Sequence, residues 1–339
     1  MVEEHTFSYS DAFLLEAGGT LPGFQLHYTT YGTLNPARDN VVWVCHALTA
    51  NAKPQEWWVG LFGPGNLYDP AKHFVVCANM LGSCYGSTGP LSVNPLTDEP
   101  FFHDFPVLTN RDMVRSFDLL RQYLGISQLH TLIGGSLGGQ QALEWTIMQP
   151  GLVQHLIQVA SNARHSPWGI AFNESQRMAI QHDATWAQRS PTAGLNGMRT
   201  ARSIALLSYR HYRTYAATQQ ELSAEKIDHF RASSYQQYQG EKLARRFNAF
   251  SYWTLSKAMD SHHVGRGRGS LETVLRSIEA QCLFVGIDTD MLFPPAEQEF
   301  LVQQVPRAQG AVLSSGYGHD GFLVEVEQLA QAIRRFYGK

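Results

Sequence analysis

The sequence predicts an α/β protein in which helices flank a mostly parallel sheet. Five short runs of β-branched and aliphatic residues are almost continuously apolar, a pattern typical of parallel strands that are buried on both faces. Stretches with helical character separate several of these runs, and strands that alternate with helices form doubly wound sheets. The five runs are Val41–Cys45, His73–Cys77, Leu129–Ile133, Leu156–Ala160 and Cys282–Val285.

A well-marked helix is predicted between the second and third runs. Met113, Phe117 and Leu120 recur at helical spacing, with charged and polar residues on the opposite side. Gly125 follows the last of these turns, where a glycine commonly caps the end of a helix. The amphipathic pattern predicts that one face of this helix packs on the sheet.

From residue 166 to residue 269 the alternation of strands and helices stops. This stretch is polar and compatible with helix, notably over 199–215 and 244–259. We predict a helical lid insertion at 166–269 between two parts of one α/β core, residues 1–165 and 270–339. The insertion returns through the Gly/Arg run 264–269, which we interpret as a flexible loop. A nucleic-acid-binding segment is the alternative, but the repeats are few and the chain is acidic.

Composition narrows the class of protein. The chain has 339 residues, a formal net charge of −3 and 44% hydrophobic residues, which fits a globular protein with no nucleic-acid or membrane partner. The first residues lack the basic start and apolar stretch of a signal peptide. Cys45, Cys77 and Cys282 lie in apolar runs and are expected to be reduced thiols, and no cysteine spacing indicates a metal site. We therefore expect a cytoplasmic protein without a metal.

The strongest local motif is Gly134-Gly135-Ser136-Leu137-Gly138-Gly139, between an apolar run and a helical stretch. This is the G-x-S-x-G nucleophile elbow in its strand–turn–helix setting, and it predicts the α/β-hydrolase fold with Ser136 as nucleophile. Side chains at Gly134 or Gly138 would clash with so sharp a turn. The N–H of Leu137 is placed to stabilise an oxyanion. A phosphate-binding loop is the alternative, but its usual Lys-Ser/Thr pair is missing.

A nucleophilic serine needs a base, and in this fold the order along the chain is serine, carboxylate, histidine. Asp288 and Asp290 follow the Cys282 run, and His319 lies in a glycine-flanked loop after a short apolar run. We predict His319 as the base, while the spacing alone leaves Asp288 and Asp290 both open as its partner. The second oxyanion donor is expected in the loop after the first run, at the N–H of Leu48.

These motifs together resemble the homoserine O-acetyltransferase family of α/β-hydrolases over nearly the whole chain. Besides the elbow, the resemblance rests on a series of segments spread from the first strand to the last loop. These segments are His46–Thr49, Asn79–Cys84, Gly86–Pro90, His263–Gly267, Asp290–Pro294 and Tyr317–Leu323. The family places its catalytic acid directly before Leu-Phe-Pro, so the resemblance favours Asp290 over Asp288.

The resemblance implies an acyltransferase of methionine biosynthesis that uses acyl-CoA as co-substrate and no cofactor. Ser136 would accept the acyl group in a ping-pong reaction and pass it to the hydroxyl of L-homoserine. Arg210 of a lid Ser-Tyr-Arg segment would bind the carboxylate of homoserine, with Arg213 as the alternative, and Asp320 would bind the amine. The family also pairs through its lid helices, which implies a homodimer.

Several alternatives stay open. Acetyl is favoured over succinyl as the acyl group, but the segments 50–52 and 83–85 depart from the usual family pattern near the expected pocket. L-Serine differs from homoserine by one methylene, which a pocket distinguishes by only about 1–3 kcal/mol. An ester or thioester hydrolase would use the same three residues, and a binding protein that only keeps the fold is a further alternative.

Overall fold

The computed structural model describes residues 2–338 and has twelve strands and twelve α-helices within them. The strands are β1 (Val2–Tyr9), β2 (Phe13–Leu14), β3 (Thr20–Leu21), β4 (Phe24–Tyr31), β5 (Val41–Cys45), β6 (Phe74–Ala78), β7 (Val93–Asn94), β8 (Glu99–Pro100), β9 (Leu129–Gly135), β10 (Val153–Val159), β11 (Gln281–Ile287) and β12 (Ala308–Leu313). The helices are α1 (Pro54–Trp57), α2 (Asn110–Tyr123), α3 (Leu137–Met148), α4 (Pro167–Gln181), α5 (Leu195–Tyr209), α6 (Tyr212–Gln219), α7 (Arg231–Ala244), α8 (Ala249–Asp260), α9 (Leu271–Arg276), α10 (Pro295–Gln304), α11 (Gly321–Val324) and α12 (Val326–Phe336).

Eight of the strands form one sheet in the order β1-β4-β6-β5-β9-β10-β11-β12. The six strands from β6 to β12 in this order are parallel, and β4 pairs antiparallel with both β1 and β6. The predicted mostly parallel sheet is confirmed. All five predicted apolar runs lie in strands of this parallel part, with bounds that differ by a few residues at most.

The sheet is buried on both faces, as the apolar runs predict. Within β5, Val41 and Trp43 pack in the apolar core on one face, together with Trp145 of α3. The alternate residues Val42 and Val44 pack in a second core on the other face, under α12. This two-residue alternation is the ordinary consequence of strand geometry. Because both sides of β5 are apolar, its sequence has no polar face.

The N-terminal strands β1 and β4 were not predicted. The sequence of β4 alternates apolar and polar residues in its first half, with Phe24 and Leu26 buried while Gln25 is exposed. Antiparallel strands near a sheet edge often have one solvated face and alternate in this way. A search for continuously apolar runs therefore passes over them.

Helices α4 to α8 all lie between β10 and β11, within the predicted insertion. The stretch 199–215, predicted as helical, is interrupted: α5 ends at Tyr209, Arg210 is extended (φ −112°, ψ 149°), and α6 starts at Tyr212. An isolated antiparallel bridge between Arg164 and His263 joins the two ends of the insertion. The bounds of the insertion as a separate domain remain a prediction.

The Gly/Arg run at the end of the insertion is a loop, but it is held by ion pairs instead of being free. Arg266 lies 2.9 Å from a carboxylate oxygen of Glu16, and Arg268 lies 2.6 Å from one of Glu144. Arg111 also donates to the carbonyl oxygen of Arg266. These contacts tie the loop to α2 and α3, and the flexibility of the loop remains a prediction. Within residues 2–338, no helix has both the length and the apolar character needed to cross a membrane.

Candidate active site

Ser136 lies in the sharp turn between β9 and α3, with φ 57° and ψ −125°. A non-glycine residue with positive φ is strained, and such strain persists where the surroundings impose it. A side chain at Gly134 would collide with the carbonyl oxygen of Gly138, and one at Gly138 would collide with the carbonyl oxygen of Cys45. The glycines thus allow the turn to close, and the turn presents the Ser136 hydroxyl at the carboxyl edge of the sheet.

Ser136, His319 and Asp290 form one hydrogen-bonded chain. The Ser136 hydroxyl donates to Nε2 of His319 over 2.9 Å, and Nδ1–H of His319 donates to Oδ2 of Asp290 over 2.7 Å. All three side chains are buried. The other carboxylate oxygen of Asp290 accepts the N–H groups of Leu292 and Phe293, so the carboxylate is fully oriented. This is the geometry of a nucleophile, a base and the group that orients the base.

Asp288, the competing carboxylate, faces a different loop. Its two oxygens accept hydrogen bonds from the hydroxyl of Ser314 and the N–H of Ser315. These bonds hold the segment that leads from β12 towards His319. Of the two carboxylates that the sequence left open, Asp290 is the one that contacts the histidine.

Leu137 and Leu48, the predicted oxyanion donors, both lie beside the serine. Leu137 is the first residue of α3, so its N–H is one of those left unpaired at a helix start. Leu48 lines the same cavity as Ser136. The loop containing Leu48 is fixed by His46, whose Nδ1–H donates to the Ala47 carbonyl and whose Nε2 accepts the Met80 N–H. Burial lowers the pKa of His46 to about 4, so the ring stays neutral and keeps both bonds.

The imidazole of His319 is enclosed by aromatic rings. Phe293 stacks on it with centroids 5.1 Å apart, and Tyr209 and Phe322 lie 5.6 Å and 5.3 Å away. Tyr209 is the last residue of α5, so the insertion packs directly on the histidine. A Cβ at Gly318 would lie 3.1 Å from backbone atoms of 209–211, which shows how closely the two segments approach.

The cavity at Ser136 is small and bears opposite charges. It has a volume of about 70 Å³ and is lined by Leu48, Thr49, Ser136 and His319 from the core. Two ionic side chains complete it: Arg202 from α5 and Asp320 next to His319. Sequence reasoning missed Arg202. Arg202 and Tyr209 are seven residues apart, which places them on one face of a helix, and this spacing beside the predicted Arg210 was the available signal.

Arg210, the predicted carboxylate ligand, pairs with Asp320, the predicted amine ligand. Its Nε lies 2.7 Å from Oδ2 of Asp320, although the N–H is not directed at that oxygen and makes no hydrogen bond. The guanidinium also lies over the ring of Tyr317, 5.5 Å from its centroid. Arg213, the alternative, lies on α6 and is exposed. Of the three arginines, Arg202 is the one that lines the cavity with Ser136.

No set of three or more His, Cys, Asp and Glu side chains within residues 2–338 is arranged to hold a metal ion. The four cysteines are free thiols, and Cys45, Cys77 and Cys282 are buried, as their place in apolar runs predicted. The side chains that meet at the site are those of Ser136, His319 and Asp290, with backbone donors and two opposed charges around them.

Comparison with known proteins gives a family for this arrangement. Residues 40–326 match the family model of the alpha/beta hydrolase fold. A homoserine O-acetyltransferase of Cyclobacterium marinum is 52% identical over 98% of this chain and 95% of its own length. Another of Trichormus variabilis is 44% identical over 96% of this chain and 91% of its own.

Solved structures with this fold include both transferases and esterases. A homoserine O-acetyltransferase from Bacillus anthracis superposes with a TM-score of 0.91 at 26% identity, covering 100% of this chain and 98% of the other. Esterase E22 superposes with a TM-score of 0.91 at 27% identity, covering 99% and 100%. The fold is therefore shared by two activities, whereas both of these sequence relatives are homoserine O-acetyltransferases. By its extensive identity with them, the chain belongs to the homoserine O-acetyltransferase family of α/β-hydrolases.

Proposed function

We propose that this enzyme transfers an acyl group from acyl-CoA to the hydroxyl of L-homoserine, a step in methionine biosynthesis. The observation that carries the proposal is the pair of opposed charges, Arg202 and Asp320, in the cavity of Ser136 and His319. An amino acid is a zwitterion, and a guanidinium and a carboxylate are the partners for its two charged groups. A simple ester substrate has no use for both charges. The name of the sequence relatives supports the same acceptor.

In the first half-reaction, Ser136 Oγ attacks the thioester carbonyl while His319 Nε2 takes its proton. The N–H groups of Leu137 and Leu48 stabilise the oxyanion, and Asp290 stabilises the imidazolium. His319 then gives the proton to the departing CoA sulfur, which leaves an acyl-Ser136 ester. The step requires no metal or other cofactor, because the nucleophile, the base and the oxyanion donors all come from the chain.

In the second half-reaction, His319 removes the proton of the homoserine hydroxyl as that oxygen attacks the acyl-Ser136 carbonyl. Collapse of the tetrahedral intermediate returns the proton to Ser136 and releases O-acyl-homoserine. Water is the competing nucleophile. The small cavity of about 70 Å³ leaves little room for bulk water, which favours an amino acid held there by Arg202 and Asp320. Ligand pockets are usually larger, about 300–1,000 Å³, so we propose that the lid opens for the donor.

For the acceptor we assign the ammonium group to Asp320 and the carboxylate to Arg202. Arg202 lines the cavity, while Arg210 lies beside Asp320 and neutralises part of its charge. This modifies the family-based expectation, in which Arg210 binds the carboxylate. In our proposal, Arg210 holds Asp320 in place until the ammonium group arrives.

We propose acetyl in preference to succinyl as the acyl group. A succinyl group adds a second carboxylate beside Ser136, and that charge would need its own cationic partner in a cavity of about 70 Å³. Arg202 is already assigned to the carboxylate of homoserine. The relatives are named as acetyltransferases, which supports the smaller group.

The experiment that tests this function is CoA release from acetyl-CoA or succinyl-CoA, measured with L-homoserine, with L-serine and without an amino acid. The proposal expects continuous CoA release, beyond the first equivalent per chain, that needs homoserine and is faster with acetyl-CoA. Equal release without any amino acid would instead assign the chain to the hydrolases, the second candidate, which its similarity to esterase E22 favours. Faster release with serine would overturn the choice of acceptor.

We further propose a homodimer that forms through the lid. Several large apolar side chains of the lid helices and their connections are exposed, and side chains of this kind mark an interface where they form one patch. The most exposed are Leu207, Tyr212, Leu222, Ile227 and Tyr238. Light scattering should give twice the chain mass at working concentration, and a monomeric mass would contradict the proposal.

The free thiols fit the reducing cytoplasm that we propose as the compartment of this protein.

A further inference from the structure

Arg246 follows α7 and reaches the rim of the catalytic cavity. Its Nη1 donates to the carbonyl oxygen of Thr49 over 2.6 Å and also to the hydroxyl of Tyr85. Thr49 lines the cavity that holds Ser136, directly after Leu48. The guanidinium of Arg246 is therefore fixed at the mouth of the site, on the side of the oxyanion loop.

The charge of Arg246 is not neutralised by the chain. Within residues 2–338 no acidic side chain forms an ion pair with Arg246, and the residue is exposed. The preceding Arg245 lies 3.8 Å from Glu241 instead. Since the chain as a whole has a formal net charge of −3, an anion reaching this mouth needs local positive charge to be attracted.

A groove of about 370 Å³ begins beside Arg246. Tyr85, which contacts Arg246, forms part of its wall. Glu4 and Glu56 also line the groove, and Lys53 is paired with Glu4 over 2.7 Å, so among the described residues Arg246 is the cation at this end that is free for a phosphate.

The catalytic cavity is lined by residues 47–49 and the groove by residues 51–53 of the same segment. A donor whose acyl group reaches Ser136 has no room in the small cavity for the rest of its length. The groove gives that remainder a place along the surface.

We propose that Arg246 binds a phosphate group of the CoA donor and thereby selects the thioester of CoA over thioesters without phosphates. This inference rests on the proposed acyl-CoA-dependent function. CoA carries a phosphomonoester and a diphosphate, and a guanidinium binds such oxygens through paired N–H donors. The carbonyl of Thr49 and the hydroxyl of Tyr85 engage Nη1 and hold the side chain in place, which leaves Nη2 and Nε for the phosphate.

The test compares acetyl-CoA with S-acetyl-pantetheine, which carries the same thioester but no phosphate. Arg246→Gln removes the charge and keeps an N–H donor for the Thr49 carbonyl. We expect this variant to raise KM for acetyl-CoA roughly 5- to 20-fold, while kcat/KM for acetyl-pantetheine and KM for homoserine hardly change. Arg246→Lys should keep most of the preference for acetyl-CoA. Higher ionic strength should raise KM for acetyl-CoA more in the wild type than in Arg246→Gln.

Arg245→Gln is the matched control, because it removes the same charge from the neighbouring position, whose side chain is 72% exposed. This variant should keep the wild-type KM for acetyl-CoA and the wild-type kcat/KM for acetyl-pantetheine. If Arg246→Gln lost kcat/KM equally with both donors, Arg246 would only position the oxyanion loop, and the proposal would be overturned. So would an unchanged KM for acetyl-CoA. If the wild-type enzyme used neither donor, the proposed function itself would fail, which is a different result from either of these.

Discussion

Nε of Arg210 lies 2.7 Å from Oδ2 of Asp320, the residue directly after His319. The ion pair joins the break between α5 and α6 to the loop that carries the proposed base. Because Asp320 also lines the cavity, its carboxylate can exchange part of this contact for the ammonium group of a substrate. The lid and the catalytic loop are thus linked by charges that the acceptor itself would engage.

Replacing Arg202 tests the assignment of the acceptor carboxylate. Arg202→Gln should lower kcat/KM for homoserine roughly 30-fold or more, because it leaves a carboxylate without its charged partner in a partly enclosed site. The first half-reaction should continue at its normal rate, as a burst of CoA release without acceptor. Arg210→Gln is the comparison and should have the smaller effect on homoserine. A larger loss of kcat/KM for homoserine in Arg210→Gln than in Arg202→Gln would identify Arg210 as the ligand of the carboxylate.

Asp290 and Asp288 offer a matched pair of substitutions two residues apart. Asp290→Asn should reduce kcat about 10⁴-fold, because the amide no longer holds the productive tautomer of His319. Asp288→Asn should leave kcat within a few-fold and lower stability instead, since the carboxylate of Asp288 accepts from Ser314 and Ser315. Steady-state kinetics and urea unfolding of both variants measure the two effects. Comparable losses of kcat in both would show that the geometry has been misread.

Gly138 tests the packing of the elbow. A methyl group there would meet the backbone oxygen of Cys45, which cannot move without displacing β5. Gly138→Ala should therefore cost about 1–3 kcal/mol or more of unfolding free energy and most of the activity. Gly310→Ala is the control, because its methyl group would meet only the end of the Val302 side chain. Equal stability of the two variants in urea would contradict the close approach.

Three buried histidines predict how stability responds to acid. Burial lowers the pKa of His46 and His165 to about 4 and that of His262 to about 3, from an ordinary 6.5. Below about pH 6.5 these histidines bind protons in the unfolded chain but stay neutral in the folded chain. The free energy of unfolding should therefore be highest above this pH. It should fall towards pH 4 by about 1.4 kcal/mol per pH unit for each histidine.

His262→Gln isolates one of these three contributions. Nε2–H of His262 donates to the carbonyl oxygen of Asn162, and a glutamine amide can replace that donor. Urea unfolding between about pH 5 and pH 7 measures how the free energy of unfolding changes with pH. In His262→Gln this pH dependence should correspond to about one proton fewer than in the wild type. His182→Gln, at an exposed position, should leave the slope unchanged. An identical slope in all three proteins would mean that His262 titrates normally in the folded state.

Much of the fold could be predicted from the sequence because parallel strands carry a local signal. The runs that became β5, β9 and β11 are apolar on both faces, and the elbow needs glycines at fixed positions around Ser136. β1 and β4 gave no such signal, since an antiparallel strand near the edge is only half apolar. Their assignment depends on pairing between distant segments.

The part of the candidate site that lies in recognisable sequence motifs could be predicted. Ser136 and His319 lie in glycine-rich loops with a recognisable order along the chain, and the family resemblance selected Asp290. Arg202 was missed because its position over the cavity depends on how the lid folds back on the core. Its seven-residue spacing from Tyr209 was the one available signal, and that spacing alone does not distinguish it from a solvated helical arginine. The break at Arg210 likewise depends on packing against Gly318.

The central claim is that Ser136 carries the acyl group between donor and acceptor. Intact-mass analysis after mixing the enzyme with acetyl-CoA alone tests it most directly, with Ser136→Ala as the control. We expect a mass increase of one acetyl group on the wild-type chain, located at Ser136 by peptide mapping. Addition of L-homoserine should remove it and form O-acetyl-homoserine. Transfer to homoserine that proceeds at the normal rate in Ser136→Ala, or without any acetylated chain, would rule out Ser136 as the acyl carrier.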